Sequence, residues 1–326
     1  MTAPKGHVIL DSKGGFRISP LIQELACFVG QELVFEKGAE MLLKTAGINL
    51  PAKQIERVCH FYGEQIEQNL DQDIEQNLPP QIADCKSPTY CMLDGGMILT
   101  REDSWKEIKL ARIFKAEDLV ELHPKRNWIT NSVYIAHLGD HKEFCRKVGH
   151  YTDELYEPVF IADGAQWIWN WVNALYPDSV QILDFFHAKE HLCSFANLYF
   201  KDDSLKKEWL DWNSDLLKTD RVDQVIENII SLPEITNSPA EKLRKNIIEY
   251  YRNNRERMQY QTFNKKGYLI GSGPIESAIR NIIQQRMKLS GQRWTKKGVQ
   301  QIANLRAAYN SNGAEMVKKI ILNSRI

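Results

Sequence analysis

The sequence predicts a mixed α/β fold preceded by a small all-helical region. Three observations carry that expectation: helical periodicity over residues 20–70, five short apolar or alternating runs after residue 88, and a strand-free helical tract over 188–261. In the first region Leu21, Leu25 and Phe28, then Ala39, Leu42 and Leu43, then Ile55, Val58 and Cys59 recur at helical intervals. Gly47 suits the end of one helix and Pro51 the opening of the next. Three helices with a tight turn fit a helix-turn-helix, with Lys53, Gln54 and Arg57 projecting from the third, and they fit a plain three-helix packing module equally well. Residues 65–88, rich in Gln, Asn and Asp and carrying Pro79, Pro80 and Pro88, read as a linker. The expected division is therefore a helical domain with its linker over 1–84 and an α/β domain over 85–326.

Within the second part, Thr89 to Leu93, Ile108 to Phe114, Ser132 to Leu138, Val159 to Ala162 and Val180 to Leu183 read as strands bounded by turn residues. Helical patterns from His141 to His150 and from Ala165 to Leu175 give the order βββαβαβ, which belongs to a mixed sheet. The charged tract from Ala188 to Gln261 is an expected helical insertion, followed by a turn at Lys265-Lys266-Gly267 and a last helix opening near Pro274.

Composition excludes some classes of protein. No apolar stretch in the 326 residues approaches the roughly 18 needed to span a membrane, so no membrane association is expected. Met1 to Gly15 lacks the basic start and apolar core of a secretory signal, and the expected location is the cytoplasm. The six cysteines form no C-x-x-C pair, so they read as reduced, mostly buried thiols rather than a zinc module or a disulfide framework. The formal net charge of zero points to no partner, but its distribution is uneven. Lys242 to Ile326 holds 18 Lys and Arg against 4 Asp and Glu, whereas Phe61 to Asp84 holds six acids and no Lys or Arg. A solvated helical face would explain one such run; an excess of this size favours a surface that neutralises phosphates.

The strongest chemical feature is a recurrence. Three apolar runs each end in an aspartate: Tyr90-Cys-Met-Leu-Asp94-Gly-Gly, Val159-Phe-Ile-Ala-Asp163-Gly and Val180-Gln-Ile-Leu-Asp184. A single Asp-Gly is ordinary turn chemistry. Repetition at successive strand ends places acids along one sheet edge, where ligands of open α/β sheets bind, and the glycines allow close backbone approach. Glu276 follows Pro274 by two residues, a position from which a glutamate also caps its own helix. Arg280, Gln284 and Lys288 then follow it at four-residue steps, opposite an apolar face of Ile275, Ile279, Ile282 and Ile283. An acid for metal beside bases for phosphate is what phosphodiester chemistry requires.

Other residues weigh less. His187 and His191 have a zinc-compatible spacing with Cys193 nearby, but no third ligand is evident, so support of the strand-end acids is the preferred reading. Trp167 and Trp171 share a helix face and read as core, whereas Trp294 lies among bases and could stack on an unpaired nucleobase. Glycine-rich phosphate loops and Ser/His/Asp or Cys/His nucleophile motifs are absent.

Three segments, Ile161-Ala-Asp-Gly-Ala-Gln-Trp-Ile-Trp-Asn, Ile182-Leu-Asp-Phe-Phe-His-Ala-Lys-Glu-His-Leu, and Gly271-Ser-Gly-Pro-Ile-Glu-Ser-Ala followed by Gln285-Arg-Met-Lys-Leu-Ser-Gly-Gln-Arg-Trp, together resemble the DDE transposases of bacterial insertion sequences. The likeness is to the ISKra-like branch, more distantly to the Mutator-like transposases, and covers most of the chain. It implies an RNase H-like core with a helical insertion ahead of the catalytic glutamate. It also implies Asp94, Asp163 and Glu276 as catalytic and metal-holding acids, with Asp184 and His187 in support. Asp184 rivals Asp163 for the second place; the order of elements favours Asp163, which ends the fourth strand. The cofactor so implied is Mg²⁺ or Mn²⁺, two ions. The partner is DNA, both element ends and target, bound in the bacterial nucleoid by a homodimer or larger assembly. Arg280, Arg286, Lys288, Arg293, Trp294, Lys296, Lys297 and Arg306 are the expected DNA contacts. A DNA-binding derivative without catalysis and an RNase H-like nuclease that cuts without joining remain alternatives.

Overall fold

The computed structural model describes residues 15–78, 87–123, 126–235, 238–312 and 314–323. The expectations for 1–14, for the Pro79-Pro80 part of the linker and for Cys85 lie outside these. The chain forms two units, Met1–Tyr156 with Ile275–Ile326, and Glu157–Pro274. Together they make a mixed α/β protein, antiparallel strands in the first unit and a parallel pair in the second.

The first unit opens with α1 (Pro20–Glu32), α2 (Phe35–Ala46) and α3 (Ala52–Glu75). Ser19 caps α1 through its side chain, and Gly47 ends α2 in the left-handed region at φ 66° while Pro51 stands at the N-cap of α3, as the sequence signals require. The buried face of α1 differs from the expected one. Leu21 and Phe28 are exposed, and α1 instead turns Ala26, Cys27 and Gly30 inward. Small residues win because the helices approach closely: a Cβ on Gly30 would stand 2.4 Å from Cys59 Sγ of α3. On α3, Lys53 and Arg57 are exposed as expected, Lys53 pairing with Glu56 at 2.8 Å.

Helix α3 also runs well into the stretch that composition marks as linker. Tertiary partners account for this: Glu67 pairs with Lys147 and Asp71 with Arg146, while Asn304 donates to Gly63 O at 3.1 Å. At Gly63 itself, α3 lies so near Gln301 that a Cβ would fall 2.0 Å from its carbonyl oxygen. The helical N-terminal region is thus built into the first unit rather than standing apart at residue 84.

Two long strands and three shorter ones follow. β1 (Thr89–Thr100) pairs antiparallel with β2 (Ser104–Lys115) over its whole length. A short hairpin of β3 (Leu119–His123) and β4 (Arg126–Ile129), which sequence patterning did not reveal, leads to β5 (Val133–Leu138), antiparallel to β2. Then comes α4 (His141–Thr152).

The second unit contains β6 (Pro158–Ala162), α5 (Gln166–Leu175) and β7 (Val180–Leu183), with β6 and β7 parallel. A helical tract follows: α6 (Phe185–Tyr199), α7 (Asp203–Lys218), α8 (Val222–Ser231), α9 (Pro239–Asn254) and α10 (Tyr260–Lys265). The unit boundary falls within α11 (Gly273–Ala278).

The remainder belongs to the first unit: a π-helical segment Ile279–Gln284, α12 (Gln285–Met287), α13 (Lys296–Asn312) and α14 (Ala314–Asn323). Helix α13 covers the outer edge of β5, where Gln300 Oε1 accepts from the Leu138 amide at 2.7 Å and Ser311 Oγ from the Tyr134 amide at 2.9 Å. Among the described residues no helix is long and apolar enough to cross a membrane.

Candidate active site

In the second unit, two parallel strands deliver two aspartates side by side. The register sets Ala162 of β6 opposite Leu183 of β7, so Asp163 and Asp184 follow at the carboxyl ends of neighbouring strands. Their environments differ sharply. Asp163 is partly exposed; its Oδ1 accepts from the Ala165 amide at 3.0 Å, and its carbonyl accepts from Trp169 Nε1 at 2.9 Å. The buried tryptophan of α5 is therefore Trp169, while Trp167 and Trp171 are only half-buried, because that helix turns the Trp169 face toward the strand end.

Asp184 is 3% exposed and fully engaged. Its Oδ1 accepts from the amides of Phe186 and Ser272, both at 3.1 Å, and its Oδ2 from the His187 amide at 3.0 Å and Ser272 Oγ at 2.9 Å. One carboxylate thus caps α6 and pins the Gly271-Ser272 segment that leads into α11. Its role is to hold the chain.

A third side chain at this edge had no local sequence signal. Tyr250, from α9 in the helical tract, packs so closely on Gly164 that a Cβ there would meet its Cε2 at 2.0 Å, which is why glycine must follow Asp163. Its hydroxyl is buried without a hydrogen-bond partner among the described residues. Burial first, then the charges of Asp163 and Asp184, push the Tyr250 hydroxyl up, so it stays protonated. His191 lies against the same ring at 4.4 Å between centroids, and His187 stands 5.0 Å from His191. Burial lowers the His191 imidazole below the ordinary histidine value, helped by His187 and opposed by Glu190 and Asp163.

In the first unit, Asp94 and Glu276 come from distant parts of the chain. Asp94 is not at a strand end: β1 continues through it to Thr100, with Asp94 opposite Leu110. The glycines that looked like a turn instead stay in the strand. Gly96 lies against the helical segment after Glu276, where a Cβ would make ordinary contact with Ile279 Cγ2 at 3.6 Å. Asp94 Oδ1 accepts from the Gly95 amide at 2.7 Å. Glu276 is exposed on α11, and Ile275, Ile279, Ile282 and Ile283 form the expected apolar face. The π-helical turn over Ile279–Gln284 disrupts the regular four-residue spacing expected downstream.

The basic residues separate into two groups. Arg280, Lys288 and Arg293 are exposed, as are Lys296 and Lys297, which pair with Asp103 at 2.9 Å and Glu64 at 2.8 Å. Arg286 and Arg306 are instead 1% and 2% exposed, which corrects their expected place on a phosphate-gripping surface. Arg306 donates to the carbonyls of Ile282, Gln31 and Asn281, and Arg286 to that of Gly30. Charge counting in sequence cannot tell a guanidinium that ties loops together from one that faces solvent. Trp294 is half-buried.

The implied Mg²⁺ or Mn²⁺ can be tested against these donors. Asp94, Asp163 and Glu276 offer carboxylate oxygens, the chemistry a hard divalent cation prefers. Among the described residues, however, no group of three or more His, Cys, Asp or Glu is placed to hold an ion. Asp94 and Glu276 belong to the first unit and Asp163 to the second, so an ion shared by all three would require both units. Compared with known proteins, the chain matches no family model and no curated sequence.

Two outcomes follow. Asp184→Asn replaces a carboxylate that accepts four hydrogen bonds with an amide that cannot accept them all. It should destabilise the protein by about 3 kcal/mol in urea unfolding and speed exchange of the Ser272 amide; unchanged values for both would contradict the clamp. For His191, the neutral form is favoured on folding, so stability is full above the unfolded pKa of about 6.5 and falls as pH drops from there toward the lowered folded value. Urea unfolding at pH 7.5 and 5.5 should show a smaller acid loss in His191→Gln than in the parent, and equal losses would refute the burial effect.

Proposed function

We propose that the chain is a DDE transposase of a bacterial insertion sequence, with an RNase H-like core and Asp94, Asp163 and Glu276 as its catalytic acids. The observation that carries this reading is the packing of the π-helical segment that follows Glu276 on β1 at Gly96, two residues after Asp94, which brings the stretches bearing two sequence-remote acids into one unit. Three further features support it: Asp163 at the carboxyl end of a parallel strand, the helical tract between that strand pair and Glu276, and the π-helical turn directly after the glutamate, a device frequent at functional sites.

In this reading Asp94, Asp163 and Glu276 hold Mg²⁺ or Mn²⁺, which supplies charge stabilisation on the phosphoryl oxygens and a lowered pKa for bound water. Tyr250 and Gly164 shape the wall beside Asp163, and Asp184 fixes the segment leading to Glu276. Exposed Arg280, Lys288 and Arg293, with Lys296 and Lys297, attract the DNA backbone with salt-dependent affinity. Hydrolysis of a phosphodiester releases a 3′-hydroxyl at the element's end. That hydroxyl then attacks a target phosphodiester, forming a new 3′–5′ bond and displacing the target's own 3′-hydroxyl. Two copies on paired ends form the working assembly, in the cytoplasm.

A second reading, a DNA-binding derivative without catalysis, is favoured by the lack of a three-ligand group among the described residues. Labelled element ends incubated with purified protein and Mg²⁺ or Mn²⁺ separate the two. The transposase reading expects cleavage and joining by the parent, and a loss of about 10³-fold in both for Asp163→Asn with DNA binding retained. Full joining by that variant refutes the assignment, binding without any cutting by the parent selects the second reading, and cutting without joining selects a nuclease.

A further inference from the structure

The first unit holds a cavity of about 340 Å³ whose wall includes neither Asp94 nor Glu276. Four buried polar atoms on its wall lack a hydrogen-bond partner among the described residues: His60 Nε2, Arg286 Nη2, Gln292 Oε1 and Trp294 Nε1. They come from α3, from α12 and from the segment ahead of α13, so the coincidence is not local. Buried polar groups are normally paired, and a cluster of exceptions calls for an occupant.

Arg286 defines the occupant's charge. At 1% exposure its guanidinium lies between the rings of Phe35 and Trp294, 4.9 Å and 5.0 Å from their centroids, and its Nε donates to Gly30 O at 3.2 Å. Arg306, equally buried, shows what a purely structural arginine needs: each of its three nitrogens donates to a carbonyl, and Glu32 stands 3.5 Å away. Arg286 Nη2 has no such acceptor, and burial pushes the guanidinium down to about 10. A buried cation in this state is completed by an anion.

The remaining wall selects the kind of anion. Trp294 Nε1 is a donor only, the His60 imidazole can present an N–H, and the Gln292 amide, whose oxygen lies there in this structure, presents its N–H once turned over, so donors from separate elements line one space, as an oxyanion demands. Arg101 and Arg293 also line the cavity, so its three cations outnumber its two acids, Glu36 and Glu56. The volume lies at the small end for organic ligands, larger than a lone oxyanion needs. We propose that this cavity binds the phosphate of a single nucleotide, either free or within a DNA strand. The site goes beyond the proposed function and stands whether or not the chain cuts DNA.

The test uses the full chain with ¹⁵N-labelled tryptophan, without divalent metal. Of its eight tryptophans, Trp294 is assigned as the indole N–H signal missing in Trp294→Phe. Probes are inorganic phosphate, deoxyadenosine monophosphate, deoxyadenosine, and a short single strand with a 5′-phosphate. A saturable shift of the Trp294 signal with the phosphate-bearing probes is expected. A shift with the monophosphate identifies a free nucleotide as a sufficient ligand; a shift with the strand alone places the nucleotide in DNA. Arg286→Met and Trp294→Phe, which keeps a ring beside Arg286, should each weaken binding by about tenfold in calorimetry with whichever probe binds. If Arg286→Met fails to fold, Trp294→Phe alone decides. No shift with any probe, an equal shift with uncharged deoxyadenosine, or unchanged affinity in Trp294→Phe overturns the proposal.

Discussion

A charge removed from water must be met by partners, and the internal layout of both units follows from how that constraint is satisfied. Asp184 meets it with four donors and so locks the end of β7, the start of α6 and the Gly271-Ser272 segment to one another. Arg306 meets it with carbonyls of α1 and of the π-helical turn, binding the N-terminal helices to the segment that follows Glu276. Neither group contacts solvent appreciably, yet each fixes the approach to the glutamate, one from the residues before it and one from the residues after it.

Around these anchors two of the three acids are set on regular structure and the third directly after it. Asp163 follows a parallel strand, Asp94 sits within a strand paired along its full length, and Glu276 rides on a helix whose isoleucines are buried. Rigid supports of this kind hold catalytic groups better than loops do. Of the glycines beside the strand acids, Gly164 serves packing, since it makes room for Tyr250. Apart from these acids, the first unit holds a pocket in which the buried Arg286 keeps one guanidinium nitrogen without a hydrogen-bond partner among the described residues.

Much of this was legible in sequence wherever the signal is local. Strand runs, the caps at Gly47 and Pro51, the isoleucine face after Glu276 and the helical tract all appear as expected. What failed depended on distant partners. Asp94 read as a strand end because Asp-Gly-Gly resembles a turn, and only pairing with β2 carries the strand onward. Leu21 and Phe28 read as core until the close approach of α1 to α3 favoured smaller residues. Arg286 and Arg306 read as surface because nothing near them in sequence predicts the carbonyls they meet. Tyr250 was invisible for the same reason, since its neighbours Gly164 and His191 lie far away in sequence.

The proposed transposase needs Asp94, Asp163 and Glu276 to bind the same divalent ions, and iron reports on that directly. With Fe²⁺ in place of Mg²⁺, ascorbate and peroxide generate hydroxyl radicals at the bound ion, and these cut the nearest backbone. The proposed function expects cuts clustered at Asp94, Asp163 and Glu276 together, suppressed by added Mg²⁺ and lost in Asp163→Asn. Cuts confined to one unit, or unaffected by that substitution, would contradict it.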